Sequence, residues 1–224
     1  MDAGNYMNVS GTNYINWFLK RAPGVFEQVL YTGNGGTLNV SHNLGVIPEL
    51  MIVKNRGNGN YWAGYHKDLG NTYSISLNQN IAKDNATSRW GNTTPTASVF
   101  TVTSINETNG TFNYVAYLFA SLAGISKVGS YTGNGSSQTI NCAFTTGARF
   151  IMIKRADAVG DWFVWDTVRG IIAANDPHVS LNTITAEVGT DDSVDPDTSG
   201  FIVNQVAGID VNVTASTYIF LAFA

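Results

Sequence analysis

The string YTGNG occupies residues 31–35 and occurs again at residues 131–135, 100 positions farther along the chain. The same offset holds beyond it, because MIVK at residues 51–54 aligns with IMIK at residues 151–154. Self-similarity at a fixed spacing is typical of tandem structural units. The sequence therefore predicts two copies of one unit, related by internal duplication.

The offset drifts only between apolar segments. Aligned aromatic pairs stand 100, 101 and 104 residues apart: Trp62 with Trp162, Phe100 with Phe201, and Tyr114 with Tyr218. Loops tolerate insertions that strands do not. The drift therefore predicts strands where the spacing is constant and loops where it changes.

A further copy of the last element of the unit lies near the start of the chain. Residues 14–19 align there with residues 114–119. We expect residues 1–23 to be the terminal strand of a preceding unit or a linker, residues 24–123 the first unit, and residues 124–224 the second. Two interpretations remain open: the chain belongs to a longer array, or its first strand completes a sheet that a neighbour leaves open.

The composition indicates the type of secondary structure. Hydrophobic residues make up 44% of the chain and charged residues only 12%, which is about half the usual charged share. Asn, Thr, Ser and 23 Gly supply the polar positions, and these residues favour turns and strands over helices. The sequence predicts an all-β fold.

Short apolar runs bounded by Gly, Asn and Pro define the strands. In the first unit they are predicted near residues 25–32, 37–42, 49–55, 61–66, 73–78, 98–103 and 113–120, with equivalents in the second unit. Residues 114–120 are apolar on both faces, which indicates that both sides of the sheet are covered. We therefore expect two tandem β-sandwich domains, with a boundary near Ala123.

Several classes of function are disfavoured. The net charge is −4 and no Lys/Arg block occurs, so no nucleic-acid partner is expected. The apolar stretches are far shorter than the roughly 20 residues that cross a bilayer, so no membrane insertion is expected. Cys142 is the only cysteine, which excludes an internal disulfide and a thiolate zinc site. It is predicted to be a buried small hydrophobe.

Candidate binding residues lie beside polar loops. Tyr61 follows Asn58 and Asn60, and Trp90 precedes the segment at residues 91–94. An exposed ring next to amide side chains favours sugar binding, through stacking and hydrogen bonds. These four residues are the predicted glycan-binding positions. A Trp that caps the open end of a sandwich would look the same in sequence, and other aromatics at strand spacing, such as Trp165, are predicted to be core.

Other motifs are interpreted as structural. The Asn-Gly pairs within YTGNG predict a hairpin turn in each unit, because Asn-Gly is the strongest short turn signal. The acidic run of Asp191, Asp192, Asp195 and Asp197 offers oxygen ligands for Ca²⁺, yet a solvated loop is the favoured interpretation. The three histidines are scattered and no nucleophile motif is present. No catalytic site, metal site or cofactor is predicted.

The chain resembles repeat domains of bacteriophage tail-fibre proteins, of the type found in marine and cyanobacterial phages. The resemblance covers nearly the whole chain and rests on five strings taken together: HNLGVIPELMIVK from His42, YWAGYH from Tyr61, RWGNTTPTASVFTV from Arg89, NYVAYLFAS from Asn113 and KVGSYTGNG from Lys127. In the second unit, residues 147–150 (GARF) replace the matching Gly-Val-Ile-Pro-Glu-Leu segment, and no Trp matches Trp90. One shared site per unit is therefore in doubt.

The resemblance implies a component of the virion tail, assembled as a homotrimer with other phage tail proteins. Its distal end would bind a glycan or an outer-membrane receptor on the host cell surface. The alternative is a purely architectural spacer or adaptor that touches only virion proteins. A polysaccharide depolymerase is disfavoured, because such phage enzymes are usually long β-helices with short repeats.

Overall fold

The strands of the first half build one large and one small sheet. The computed structural model describes residues 10, 11 and 13–224. Its first eight strands are β1 Phe26–Thr32, β2 Leu38–Ser41, β3 Leu50–Asn55, β4 Ala63–His66, β5 Tyr73–Ser76, β6 Asp84–Asn85, β7 Val99–Val102 and β8 Asn113–Phe119. The large sheet has the order β1-β8-β3-β4-β5-β6, and β2 pairs with β7 in the small one.

The second half holds eight more strands. They are β9 Ser126–Thr132, β10 Gln138–Asn141, β11 Phe150–Arg155, β12 Trp162–Asp166, β13 His178–Ser180, β14 Val194–Asp197, β15 Gly200–Val203 and β16 Thr217–Phe223. The large sheet has the order β13-β12-β11-β16-β9, and the small sheet the order β10-β15-β14. Each strand pair is antiparallel.

The all-β prediction is confirmed, since the described residues contain no helix. None of them forms a helix long and apolar enough to span a membrane. Each of the seven strands predicted in the first half overlaps an observed strand, and β6 is the addition. The large sheets of the two halves share one strand order over five strands. Duplication as the origin of this likeness stays our interpretation.

Three hydrophobic cores alternate with the sheets. Val40 of β2, Val53 of β3 and Phe100 of β7 belong to the core between the sheets of the first half. An equivalent core fills the second half. A middle core joins the two large sheets, with Ile52 of β3 and Met152 of β11 among its members. The four sheets thus stack as layers that bury apolar side chains between each neighbouring pair.

The middle core explains the strands that are apolar on both faces. In β8, Tyr114 and Ala116 point into the core of the first half, whereas Tyr117 and Phe119 point toward the second half. Successive side chains of a strand alternate between its two faces. The prediction that both faces are covered is therefore confirmed. The second cover is the other large sheet, so the units at residues 24–123 and 124–224 share a core.

Hydrogen bonds to backbone carbonyls reinforce the contact between the halves. The indole Nε1 of Trp162 donates to the carbonyl oxygen of Ser76 at 2.9 Å. The backbone nitrogen of Gly160 donates to the carbonyl oxygen of Asn80 at 2.9 Å. Buried backbone carbonyls need such partners, so these bonds hold the two halves in one relative position.

The hairpin predicted at YTGNG is wrong. β1 pairs with β8 and β2 pairs with β7, so the loop connects two sheets rather than two neighbouring strands. Asn109, which is fully buried, holds this loop. Its Oδ1 accepts from the backbone nitrogen of Asn34 at 2.9 Å, and its Nδ2 donates to the carbonyl oxygen of Gly36 at 2.8 Å. The Asn-Gly signal marks a reversal, but the packing decides which strands it joins.

The same arrangement recurs in the second half. Asn212 is fully buried, and its Oδ1 accepts from the backbone nitrogen of Asn134 at 3.0 Å. In both halves a buried tyrosine braces the segment that carries the clamping Asn. The hydroxyl of Tyr114 donates to the carbonyl oxygen of Asn106 at 2.9 Å, and that of Tyr218 to the carbonyl oxygen of Asp210 at 2.7 Å. We call each set the Asn clamp of its half.

The N-terminal segment packs as an irregular strap. Of the predicted element at residues 1–23, residues 1–9 and 12 lie outside the described residues, and residues 13–21 contain no strand. Trp17 anchors this strap, because its Nε1 donates to Asp166 at 3.0 Å. The Trp17 ring also packs edge-on against Phe150. The Arg169 guanidinium lies over the Trp17 ring, 5.5 Å from its centroid. The described part of this segment is therefore irregular, and its origin as the end of a preceding unit or as a linker stays a prediction.

Replacing Trp17 by Ala is expected to release the strap. The change removes one hydrogen bond and two ring contacts, which together contribute about 1–2 kcal/mol. Cleavage by trypsin after Lys20 should therefore become about tenfold faster, since it requires local opening. Phe18→Ala is the control, because Phe18 is 91% exposed. Equal cleavage of both variants would contradict the anchoring role.

Candidate functional site

The predicted residues Asn58, Asn60 and Tyr61 lie together on the loop between β3 and β4. The Nζ of Lys54 donates to the carbonyl oxygens of Asn58 and Asn60, at 3.0 and 2.8 Å. The Oδ1 of Asn58 accepts from the backbone nitrogen of Asn60 at 3.0 Å. The side chain of Tyr61 is 44% exposed. This loop is thus internally braced and presents one aromatic ring to solvent.

Trp90 does not join this surface. Its side chain is fully buried, and its Nε1 donates to the carbonyl oxygen of Tyr73 at 3.0 Å. It meets the ring of Tyr65 edge-on at 5.9 Å. The expectation of an exposed stacking ring is therefore wrong at this position, and the alternative of a structural Trp is correct. Polar neighbours in sequence did not reveal that the ring turns inward.

The remaining aromatic and cysteine predictions are confirmed. Phe163 and Trp165 belong to the core of the second half. Trp62 packs against the middle core. Cys142 is a free, buried cysteine, and burial raises the pKa of its thiol to about 12. Its thiol is therefore protonated and inert at neutral pH.

The acidic run is only partly a cluster. Asp192 and Asp195 offer oxygens within 4.8 Å of those of Asp176, a residue outside the predicted acidic run. Asp176 is fully buried, and its Oδ2 accepts from the backbone nitrogen of Val194 at 3.1 Å. Burial raises the pKa of Asp176 to about 7. Asp191 instead faces His178, so the four predicted aspartates do not form one site.

His178, which faces Asp191, is not part of a catalytic arrangement. The Nδ1 of His178 lies 3.3 Å from Asp191. The hydroxyl of Ser193 donates to the same carboxylate at 3.2 Å rather than to the imidazole. In a serine–histidine catalytic site the imidazole accepts the proton of the serine hydroxyl. Because Ser193 is also buried, this group has the character of a structural network.

A polar cleft of about 370 Å³ opens at the end of β4 that lies away from Tyr61. Glu49 and Lys67 line it, with 2.9 Å between Oε1 and Nζ. Burial acts to raise the pKa of Glu49, but hydrogen bonds from Ser121 and Lys67 hold it below its ordinary value. Asn71 and Thr94 also line it, and the Nδ2 of Asn71 donates to the hydroxyl of Thr94 at 3.1 Å. We call this the Glu49 cleft.

An equivalent cleft of about 310 Å³ lies in the second half. Arg149 and Thr167 line it at the positions of Glu49 and Lys67. No ion pair crosses it among the described residues. The sequence difference at GARF thus changes the chemistry of a cleft whose place in the fold is the same.

A third cavity, of about 690 Å³, lies where the strap meets the two large sheets. It is lined by aromatic and aliphatic side chains, including Phe18, Trp62, Tyr117 and Phe150. Phe18 is 91% exposed beside it. This region is an apolar surface and offers few groups that would orient a polar ligand.

These features define an all-β protein of sandwich type with surface clefts and loops as its candidate binding sites. The chain belongs to a protein family described as Domain of unknown function (DUF7483), and the match spans residues 1–224. The family match therefore covers both halves. No curated protein matches the sequence.

Proposed function

We propose that this chain is a structural segment of a phage tail fibre that binds a glycan or an outer-membrane receptor on the host cell surface. The observation that carries the proposal is the set of five strings, among them YWAGYH and NYVAYLFAS. The one cysteine, Cys142, is free and buried, so stability outside the cell would come from the apolar cores between the four stacked sheets. The segment would act as a homotrimer, joined to other tail proteins.

The braced loop supports the binding role. Tyr61 presents a ring beside Asn58 and Asn60, and the bonds from Lys54 fix the loop that carries them. Rigid aromatic anchors bind with a small loss of conformational entropy. The loop therefore has the chemistry of a ligand contact.

The proposal is tested by solution mass together with cell binding. Light scattering is expected to give three times the chain mass of 24.1 kDa, and fluorescently labelled protein is expected to decorate host cells. Tyr61→Ala should weaken decoration about tenfold if this ring stacks on the ligand. A monomer that binds neither cells nor their lipopolysaccharide would refute the proposal.

A second candidate is a spacer that contacts only virion proteins. It is favoured by the exposed apolar strap, where Phe18 is 91% and Leu19 50% exposed beside the apolar cavity. Exposed apolar patches of this kind mark protein contacts. Capture of purified tail proteins without any cell binding would select this role, and Phe18→Ala should then reduce the capture.

A further inference from the structure

Tyr65 places a tyrosine hydroxyl at the Glu49 cleft. Its side chain is only 3% exposed and lines this cleft. Among the described residues the hydroxyl has no hydrogen-bond partner, and its oxygen keeps access to solvent. In the free protein, water satisfies such a hydroxyl. A ligand in the cleft can replace that water and take its hydrogen bond.

The ring of Tyr65 packs against Trp90. The two rings meet edge-on, and Trp90 is itself fixed by the hydrogen bond from its Nε1 to the carbonyl oxygen of Tyr73. Burial, together with the nearby Asp68 carboxylate, raises the pKa of Tyr65. The residue is therefore a protonated, pre-positioned donor at neutral pH, which is the state that binds a ligand with the least reorganisation.

The other polar groups of the cleft restrict the ligand class. The charges of Glu49 and Lys67 cancel in their ion pair, so the cleft does not select an ion of either sign. Lys67 is a donor and Glu49 is an acceptor, whereas Asn71 and Thr94 are both. A matching ligand must then carry hydrogen-bond donors and acceptors close together and have no net charge. Adjacent hydroxyl groups meet this requirement.

We propose that the Glu49 cleft binds a neutral saccharide, with Tyr65, Asn71 and the Glu49–Lys67 pair bonded to its hydroxyls. Ile47 and Pro48 form an apolar rim against which a C–H face of a sugar ring packs. The volume of about 370 Å³ lies in the range of roughly 300–1,000 Å³ that is usual for ligand sites. The inference rests on the proposed function, because it locates the glycan contact of that function.

The second half supplies an internal comparison. Trp165 stands at the position of Tyr65, and its Nε1 already donates to the hydroxyl of Ser193 at 3.1 Å. Arg149 and Thr167 replace the ion pair in the equivalent cleft. This cleft lacks both the tyrosine hydroxyl and the neutral pair of opposite charges. We therefore expect one saccharide site per chain, in the first half.

The test measures binding of the full chain to an array of neutral and acidic glycans. Tyr65→Phe keeps the ring and its packing but removes the hydroxyl, so affinity for the bound saccharide should fall about tenfold or more. The melting temperature should not fall, because no bond within the described residues is lost. Asn71→Ala should weaken binding in the same direction. Arg149→Ala, in the second cleft, is the matched control and should bind like the wild type.

The outcomes separate this inference from the proposed function. Unchanged affinity of Tyr65→Phe would overturn the inference, while decoration of cells by the wild-type chain would still support the fibre role. Binding of a saccharide that depends on Tyr65, without decoration of cells, would support the inference and count against the fibre role. Glycerol bound as tightly as any saccharide, or no glycan bound by the wild type, would also overturn the saccharide assignment.

Discussion

Replacing Gly33 by Ala is expected to lower the free energy of unfolding by about 3 kcal/mol or more. A Cβ atom at this position would lie 2.0 Å from the carbonyl oxygen of Gly110 and 2.8 Å from the ring of Tyr114. Neither can move freely, because Tyr114 belongs to the Asn clamp of the first half and the backbone nitrogen of Gly110 donates to the Tyr114 hydroxyl at 2.6 Å. The loop or the clamp must therefore shift, and bonds made by Asn109 would be lost.

The matched control for this change is Gly36→Ala, three residues along the same loop. Its Cβ would meet only Asn34 Oδ1, at 3.6 Å, which is an ordinary contact. Gly133→Ala should repeat the large effect in the second half, where the Cβ would lie 2.1 Å from the carbonyl oxygen of Val213. Urea unfolding measures all three variants. Wild-type stability of Gly33→Ala would show that the clamp does not restrict the loop.

Replacing Lys154 by Met is expected to raise the free energy of unfolding at pH 7 by about 1–2 kcal/mol. Lys154 is fully buried, and burial lowers the pKa of its ammonium group to about 8. From an unfolded value of about 10.4, this shift corresponds to about 3 kcal/mol against the charged form. Part of the gain is offset, because the bonds from Nζ to the carbonyl oxygens of Asn80 and Arg155 are lost.

The pH dependence identifies the cause. Below about pH 8 the Lys154 ammonium is protonated in both states, and the full destabilisation is present. Between about pH 8 and 10.4 the unfolded chain keeps a proton that the folded chain has released, so stability rises with pH. Burial raises the pKa of Tyr114, which has the opposite effect once unfolded tyrosines ionise near pH 10. The comparison is therefore cleanest between pH 7 and 9.

Urea unfolding at pH 7 and 9 measures the effect. The advantage of Lys154→Met over the wild type should shrink as the pH rises. Lys54→Met is the control, because Lys54 occupies the equivalent position in the first half but is partly exposed. An equal gain in both variants, or a gain that does not depend on pH, would argue against the buried charge as its source.

The strands were predictable because each apolar run is short and is interrupted by turn residues. Val99–Val102 and Asn113–Phe119, for example, lie within the runs expected from the sequence. The pairing of these strands was not predictable. The Asn-Gly turn after β1 suggested a hairpin, yet β1 pairs with β8 and the turn leads into another sheet. Local turn chemistry specifies a reversal of the chain, whereas distant partners specify the pairing.

The candidate site, like the strands, was only partly predictable from the sequence. Tyr61 and its neighbouring Asn residues were found from the sequence because they are adjacent and lie on one loop. Trp90 was misjudged, since burial depends on which way a side chain turns. The Glu49 cleft was not predicted, because Glu49, Tyr65 and Thr94 lie far apart in the chain and come together only in the folded protein.

The sequence by itself determined the all-β class, the positions of most strands and the repeated pattern, because periodicity and turn residues act over a few neighbours. Only the tertiary structure decided that the two large sheets share a core, that Trp90 is buried, and that Tyr65 faces a polar cleft. These features depend on contacts between residues tens of positions apart. Such contacts arise from packing of the sheets, and the local pattern of residues does not predict them.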